Sequence, residues 1–135
     1  MILGILLFII FLFLSILHFS WALGNSWGFE NSLPQNEDGE LVLKPSRRDS
    51  AIVGIGLLLF GTFYLIKVGL VTLELPTWAV SIASLVIPLI FILRAIGDRK
   101  YVGFFKSIKS TAFAKKDTKY YSPLCLIIGL TGLMI

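Results

Sequence analysis

Long blocks of apolar residues constrain this chain more than any other feature. Residues 2–23 contain no Asp, Glu, Lys or Arg, and a helix of that length crosses about 30 Å of hydrocarbon. Further apolar blocks occupy 51–73, 77–96 and 120–135. A surface helix of a soluble protein keeps a polar face opposite its apolar stripe, whereas these blocks have no such face. We therefore predict an all-α polytopic membrane protein, a single domain of four transmembrane helices in an antiparallel bundle.

The composition agrees with this class. Hydrophobic residues make up 56% of the 135 residues and charged residues 15%, whereas soluble domains contain about 25% charged residues. A cleaved signal peptide is the alternative for residues 2–23. No Lys or Arg precedes that block and it is longer than the usual signal core, so we expect a retained span. The block at 120–135 is short and has Pro123 near its start; we expect a full span, with a re-entrant or tilted segment as the alternative.

The second block contains a charge, Lys67. An ammonium group within hydrocarbon is costly, and the default expectation is a partnered or functional residue. The alternative is that the side chain snorkels to the outer surface. The short segment 74–76 predicts a tight antiparallel turn between the second and third spans.

The positions of the positive charges predict the orientation of the chain. All 12 Lys and Arg residues except Lys67 and Arg94 lie in the first connector, between spans one and two, or in the third, between spans three and four. Positive residues concentrate in cytoplasmic loops, so we predict that both long connectors are cytoplasmic and both termini outside. This bias also explains the net charge of +4, and we expect no nucleic-acid partner.

The third connector has an amphipathic pattern. On a helical wheel its apolar residues fall opposite its polar ones: Tyr101, Phe105, Ile108 and Ala112 against Arg99, Lys106 and Ser110. This pattern predicts a helix lying in the headgroup layer, with the basic residues of the connector against anionic lipid headgroups. The alternative is a polar loop whose aromatic residues pack on the bundle.

Two polar clusters are predicted at the cytoplasmic interface, and the first contains His18, Trp21 and Trp27. Histidine titrates near physiological pH, so His18 is a candidate proton carrier or ligand contact. A hydrogen-bonded interfacial histidine is the alternative. The two tryptophans form either a stacking platform for a ligand or an aromatic belt at the membrane surface.

The second cluster contains Arg94, Asp98, Arg99 and Tyr101. Arg94 and Asp98 are four residues apart and can pair if the helix continues. Arginine binds phosphate and carboxylate groups through its planar fork, so Arg94 and Arg99 predict an anion site in which Asp98 orients Arg94. The alternative is a charge that snorkels at the end of a span.

The sequence contains one histidine and one cysteine. These counts predict no metal site, no cofactor site and no intrachain disulfide, and they give nucleophilic catalysis little support. We therefore expect a non-enzymatic protein whose cytoplasmic face binds an anionic lipid, an amphipathic ligand, a membrane protein partner or a second copy. One alternative is an interfacial enzyme acting on a lipid or quinone, with His18 as acid and base. Another is a small transporter or oligomeric pore that uses Lys67.

Two motifs resemble a known family. HFSWALGNSWG at His18–Gly28 and RAIGDRKYVGFFK at Arg94–Lys106 are similar to those of small bacterial integral membrane proteins catalogued as a domain of unknown function. The resemblance covers nearly the whole chain. It implies four helices and a bacterial inner membrane, and it implies no known activity.

Overall fold

The structure is a computed structural model that describes all residues, 1–135. It is all-helical and has no strand, as predicted. Three long helices are α1 (Ile2–Ala22), α2 (Arg47–Lys67) and α3 (Thr77–Ile96). A fourth helix is built from α4 (Ala112–Lys116), a π-helical turn (Asp117–Tyr121) and α5 (Ser122–Met134), which follow one another without a break. A single 3-10 turn occupies Glu30–Ser32.

The helices α1, α2 and α3 are each long and apolar enough to cross a membrane. Helix α3 has the predicted bounds, and α1 ends one residue early. Helix α2 covers 47–67 rather than 51–73. It starts early because Ser46 forms a capping box with Asp49, and it ends early because Gly69 adopts a φ of 78°. The predicted tight turn at 74–76 is therefore wrong, since a longer loop, 68–76, joins α2 to α3.

The chain forms two compact units. The first contains Met1–Asn25, Pro45–Ile87 and Thr131–Ile135, and its main contact is the antiparallel packing of α1 on α2. Small residues allow the two backbones to approach. The close approaches are Gly4 on Val68, Gly61 on Phe11, Gly54 on Phe19, and the Ser15 hydroxyl donating to the Gly54 carbonyl at 2.7 Å.

The second unit contains Ser26–Lys44 and Pro88–Leu130, and thus most of both long connectors. The Tyr121 hydroxyl donates to the Asn31 carbonyl at 3.1 Å, and the Phe113 amide donates to the Gln35 side chain at 3.4 Å. The two connectors are therefore neighbours. The side of the membrane that they face stays a prediction.

The predicted interfacial helix in the third connector is wrong, because residues 97–111 form bends and turns. Gly97, Arg99 and Gly103 all have positive φ, at 81°, 67° and 90°, which a right-handed helix does not allow. The Asp98 carboxylate instead accepts three successive backbone N–H groups, those of residues 100–102. The connector is thus a compact loop with its own hydrogen-bond network.

Candidate functional site

The most concentrated chemistry in the structure surrounds Asp117, whose side chain is completely buried. One carboxylate oxygen accepts from Arg94 Nη2 at 2.8 Å. The other accepts from the Gly103 amide at 2.8 Å and from Lys106 Nζ at 3.2 Å. We call Arg94, Lys106 and Asp117 the buried charge cluster. It contains both ion pairs of the chain.

Lys106 lies inside the loop rather than on its surface, since only 2% of the residue is exposed. Its ammonium group donates to Asp117, to the Gly103 carbonyl at 2.9 Å and to the Thr118 hydroxyl. An ammonium group has three donors, and here each one finds an acceptor. The prediction that Lys106 belongs to the polar face of a lipid-contacting helix is therefore wrong.

Two glycines allow the chain to fold back onto the end of α3. The Phe104 amide donates to the Ala95 carbonyl at 2.8 Å. A Cβ atom at Gly97 would overlap the Val102 carbonyl, and one at Gly103 would overlap the Ile96 carbonyl. This fold-back brings the Gly103 amide and Lys106 to Asp117. It gives a structural reason for both glycines of the second sequence motif.

The Asp117 carboxyl is ionised at neutral pH. Burial by itself would raise its pKa. The hydrogen bond and charge of Arg94, with the hydrogen bonds from Gly103 and Lys106, outweigh burial and hold the pKa of Asp117 below its usual 3.8. Two cations then share one carboxylate, so the buried charge cluster carries one net positive charge.

Two buried side-chain atoms of the second unit lack a hydrogen-bond partner. One is Arg94 Nη1 and the other is the hydroxyl of Ser122, and both atoms are buried. Ser122 lies five residues after Asp117, which is the i→i+5 hydrogen-bond spacing of a π-helix. The Arg94 side chain as a whole is 32% exposed. Since buried polar groups are nearly always hydrogen-bonded, Arg94 Nη1 is an unsatisfied donor of the buried charge cluster.

Asp98 does not pair with Arg94, so the predicted orienting role of Asp98 is wrong. Gly97 ends the helical register between them, and Asp98 instead accepts the N–H groups of its own loop. Burial acts to raise the pKa of Asp98, but these backbone hydrogen bonds outweigh it and lower the pKa. Arg99 is exposed, and Tyr101 is half-buried with Lys100 Nζ 5.0 Å from its ring centre.

Sequence reasoning missed Asp117 as the partner of Arg94. One signal was present, because Asp117 is the only acidic residue after Asp98, in a segment rich in lysine. A single carboxylate among several cations in an otherwise basic connector is a candidate for burial with one of them.

The other predicted cluster is divided between the units. In the first, His18 Nδ1 lies 2.8 Å from the Leu14 carbonyl of its own helix, and its ring packs on the buried Trp21 with 4.7 Å between ring centres. Trp27 belongs to the second unit and is 69% exposed. His18 and Arg94 also lie in different units, and their predicted convergence stays a prediction.

Lys67 is the last residue of α2 and is half-buried. It lines a pocket with Glu74 and forms no ion pair. No three His, Cys, Asp or Glu side chains are grouped so that they could hold a metal ion.

Comparisons with known proteins identify the family. No curated protein and no solved structure matches the chain. One family model matches residues 11–131, a range that includes both sequence motifs and the buried charge cluster. The chain therefore belongs to the family described as Protein of unknown function (DUF3995).

Proposed function

We propose that this protein is a non-enzymatic membrane protein that binds the anionic headgroup of an amphipathic lipid at the cytoplasmic interface. The observation that carries the proposal is the buried Arg94 Nη1, which has no partner in the protein. The neighbouring nitrogen, Nη2, is held by Asp117 at 2.8 Å. The guanidinium group is thus fixed in place by one nitrogen while the other is left to bind a ligand.

The charge of the site fits an anion. The buried charge cluster has one net positive charge, so a phosphate diester or a carboxylate would neutralise it. Arginine binds such groups with short, charge-assisted hydrogen bonds. A neutral ligand would leave the extra charge uncompensated, which is unfavourable in a buried site.

The depth of the site fits a headgroup. Arg94 lies in the last turn of α3, where a membrane-spanning helix reaches the interface. The connector that follows carries further exposed cations: Arg99, Lys100, Lys109 and Lys115. Each contributes about 1 kcal/mol of attraction to an anionic membrane surface. The concentration of Lys and Arg in the two connectors supports a cytoplasmic location for this end, in a bacterial inner membrane.

Native mass spectrometry tests the proposal. The full chain would be purified with an equal mixture of phosphatidylglycerol and phosphatidylcholine, and the lipids that stay bound would be counted. We expect retained phosphatidylglycerol, with affinity about tenfold lower in Arg94→Gln because a charge-assisted hydrogen bond is lost. Lys109→Gln removes the same charge from an exposed position of the same connector and is the matched control.

Two further results decide the outcome. Arg94→Lys keeps the charge but loses the planar fork, so we expect an affinity between those of the native protein and Arg94→Gln. Equal losses in Arg94→Gln and Lys109→Gln would show that only the general positive charge attracts lipid, and the proposal would then be rejected.

A further inference from the structure

A pocket lies at the end of α2 that is farther from the first connector. Lys67 and Glu74 line a pocket of about 480 Å³ there, and the rest of its lining includes Phe63, Ile66 and Leu73. We call this the end pocket. Helix α2 has 21 residues and is roughly 31 Å long at 1.5 Å per residue. If its first residue lies at one membrane surface, the end pocket therefore lies near the other.

The two charges of the end pocket are opposite and unpaired. The only ion pairs of the chain involve Asp117, so Lys67 and Glu74 lie more than 4.0 Å apart. They line one space without satisfying each other. A ligand that carries a negative and a positive group would satisfy both residues.

An apolar crevice adjoins the end pocket. Phe63 lines both spaces, and the crevice, of about 330 Å³, lies between α2 and α3, with Phe60, Ile82 and Val86 among its lining residues. Along α3 it extends from Trp78 to Ile87, roughly 13 Å of helix. That length is close to half of the roughly 30 Å hydrocarbon layer, which is the depth of one leaflet.

We propose that the end pocket and the crevice together bind one zwitterionic phospholipid with a primary amine in its headgroup. Lys67 binds the phosphate as a point charge, Glu74 accepts hydrogen bonds from the ammonium group, and one acyl chain occupies the crevice. The chemistry differs from that at Arg94, where the net positive charge selects an anionic headgroup. The inference does not depend on the function proposed for Arg94.

The test compares three lipids in native mass spectrometry of the full chain: phosphatidylethanolamine, phosphatidylcholine and phosphatidylglycerol. We expect the native protein to retain phosphatidylethanolamine over phosphatidylcholine, whose quaternary amine has no N–H to donate. Glu74→Gln should abolish that preference. Lys67→Gln should lower the affinity for phosphatidylethanolamine about tenfold, whereas Lys44→Gln, an exposed lysine in the first connector, should not.

A third variant tests the crevice. Ile82 is exposed, so Ile82→Trp can fill the crevice without disturbing the helix packing. We expect this variant to retain less phosphatidylethanolamine although Lys67 and Glu74 are intact. Equal retention of phosphatidylethanolamine and phosphatidylcholine by the native protein would overturn the inference, as would equal effects of Lys67→Gln and Lys44→Gln. Arg94→Gln changes only phosphatidylglycerol binding in this scheme, so failure at one site is distinguishable from failure at the other.

Discussion

Substitution of Asp117 by asparagine removes the negative charge of the buried charge cluster and keeps the size of the side chain. The Lys106 side chain is only 1% exposed, so its ammonium group then has no anion and little access to water. Removal of one partner from a buried ion pair costs about 3–5 kcal/mol. Lys106 keeps two neutral acceptors, and Arg94 is partly exposed, so we expect a loss near the lower limit, about 3 kcal/mol.

A double-mutant cycle separates this charge effect from a loss of packing. Lys106→Met leaves Asp117 with Arg94 and the Gly103 amide, so we expect a smaller loss, about 1–2 kcal/mol. In the double variant Arg94 is the only charge of the cluster that remains, and its side chain is 32% exposed. The loss in the double variant should therefore be less than the sum of the single losses by about 2 kcal/mol, within the range found for coupled neighbours.

The assay is reversible unfolding of the full chain in mild-detergent micelles with increasing sodium dodecyl sulfate, followed by tryptophan fluorescence. Asp38→Asn, a carboxylate in an exposed loop, is the matched control and should change the free energy of unfolding by less than about 0.5 kcal/mol. Two results would refute the reasoning: a loss of under about 1 kcal/mol in Asp117→Asn, or strict additivity in the double variant.

Four other predictions use the same unfolding measurement. The pKa of Asp117 is lowered in the folded protein, so its contribution to the free energy of unfolding is complete above about pH 4 and is lost as the pH falls through the folded pKa. An equally steep fall in the free energy of unfolding of Asp117→Asn at acidic pH would contradict this prediction. Gly97→Ala forces a φ of 81° on a residue with a Cβ and should lower the free energy of unfolding by at least about 2 kcal/mol. An unchanged midpoint of the unfolding transition would show that the loop after α3 adjusts to the added Cβ without a cost in stability. Gly61→Ala brings a Cβ to 3.0 Å from an α1 side chain and should lower the free energy of unfolding by about 1–3 kcal/mol. A Cβ at Gly56 meets open space, so Gly56→Ala should be neutral or stabilising. Equal effects of the two variants would argue against close α1–α2 packing. Tyr64→Phe removes a buried hydroxyl without a partner and should leave stability unchanged or raise it by about 1 kcal/mol, so a clear loss would reveal an unseen acceptor.

The long helices could be predicted because their cause is local. A predominantly apolar block of hydrocarbon length predicts a span wherever it occurs, and the bounds of α3 followed from its sequence alone. The ends of α2 could not be predicted in this way. They depend on the Ser46 capping box and on the left-handed Gly69, whereas apolarity indicates only which residues avoid water.

The candidate site could be predicted only in part. Arg94 could be identified as a candidate, because a charged side chain in an apolar block is costly and is usually partnered or functional. Its partner, Asp117, lies 23 residues away, and no periodicity connects two residues across an irregular loop. The amphipathic wheel was misleading for the same reason, because it assumes a helix that Gly97 and Gly103 exclude.

The π-helical turn determines where the fourth helix can change in length. In an α-helix, residues five apart point about 140° away from each other, yet Asp117 and Ser122 are both completely buried. Deletion of the exposed Lys119 would convert the turn to an α-turn and place these two residues about 40° apart, so both could still face inward. Gly129 of α5 lies close to α3, since a Cβ added to it would be 3.0 Å from the Pro88 carbonyl oxygen. A deletion in α5 between Ser122 and Gly129 would instead rotate Gly129 by about 100° away from this carbonyl. The chain can therefore lose one residue at this turn, whereas the same loss further along would separate α5 from α3.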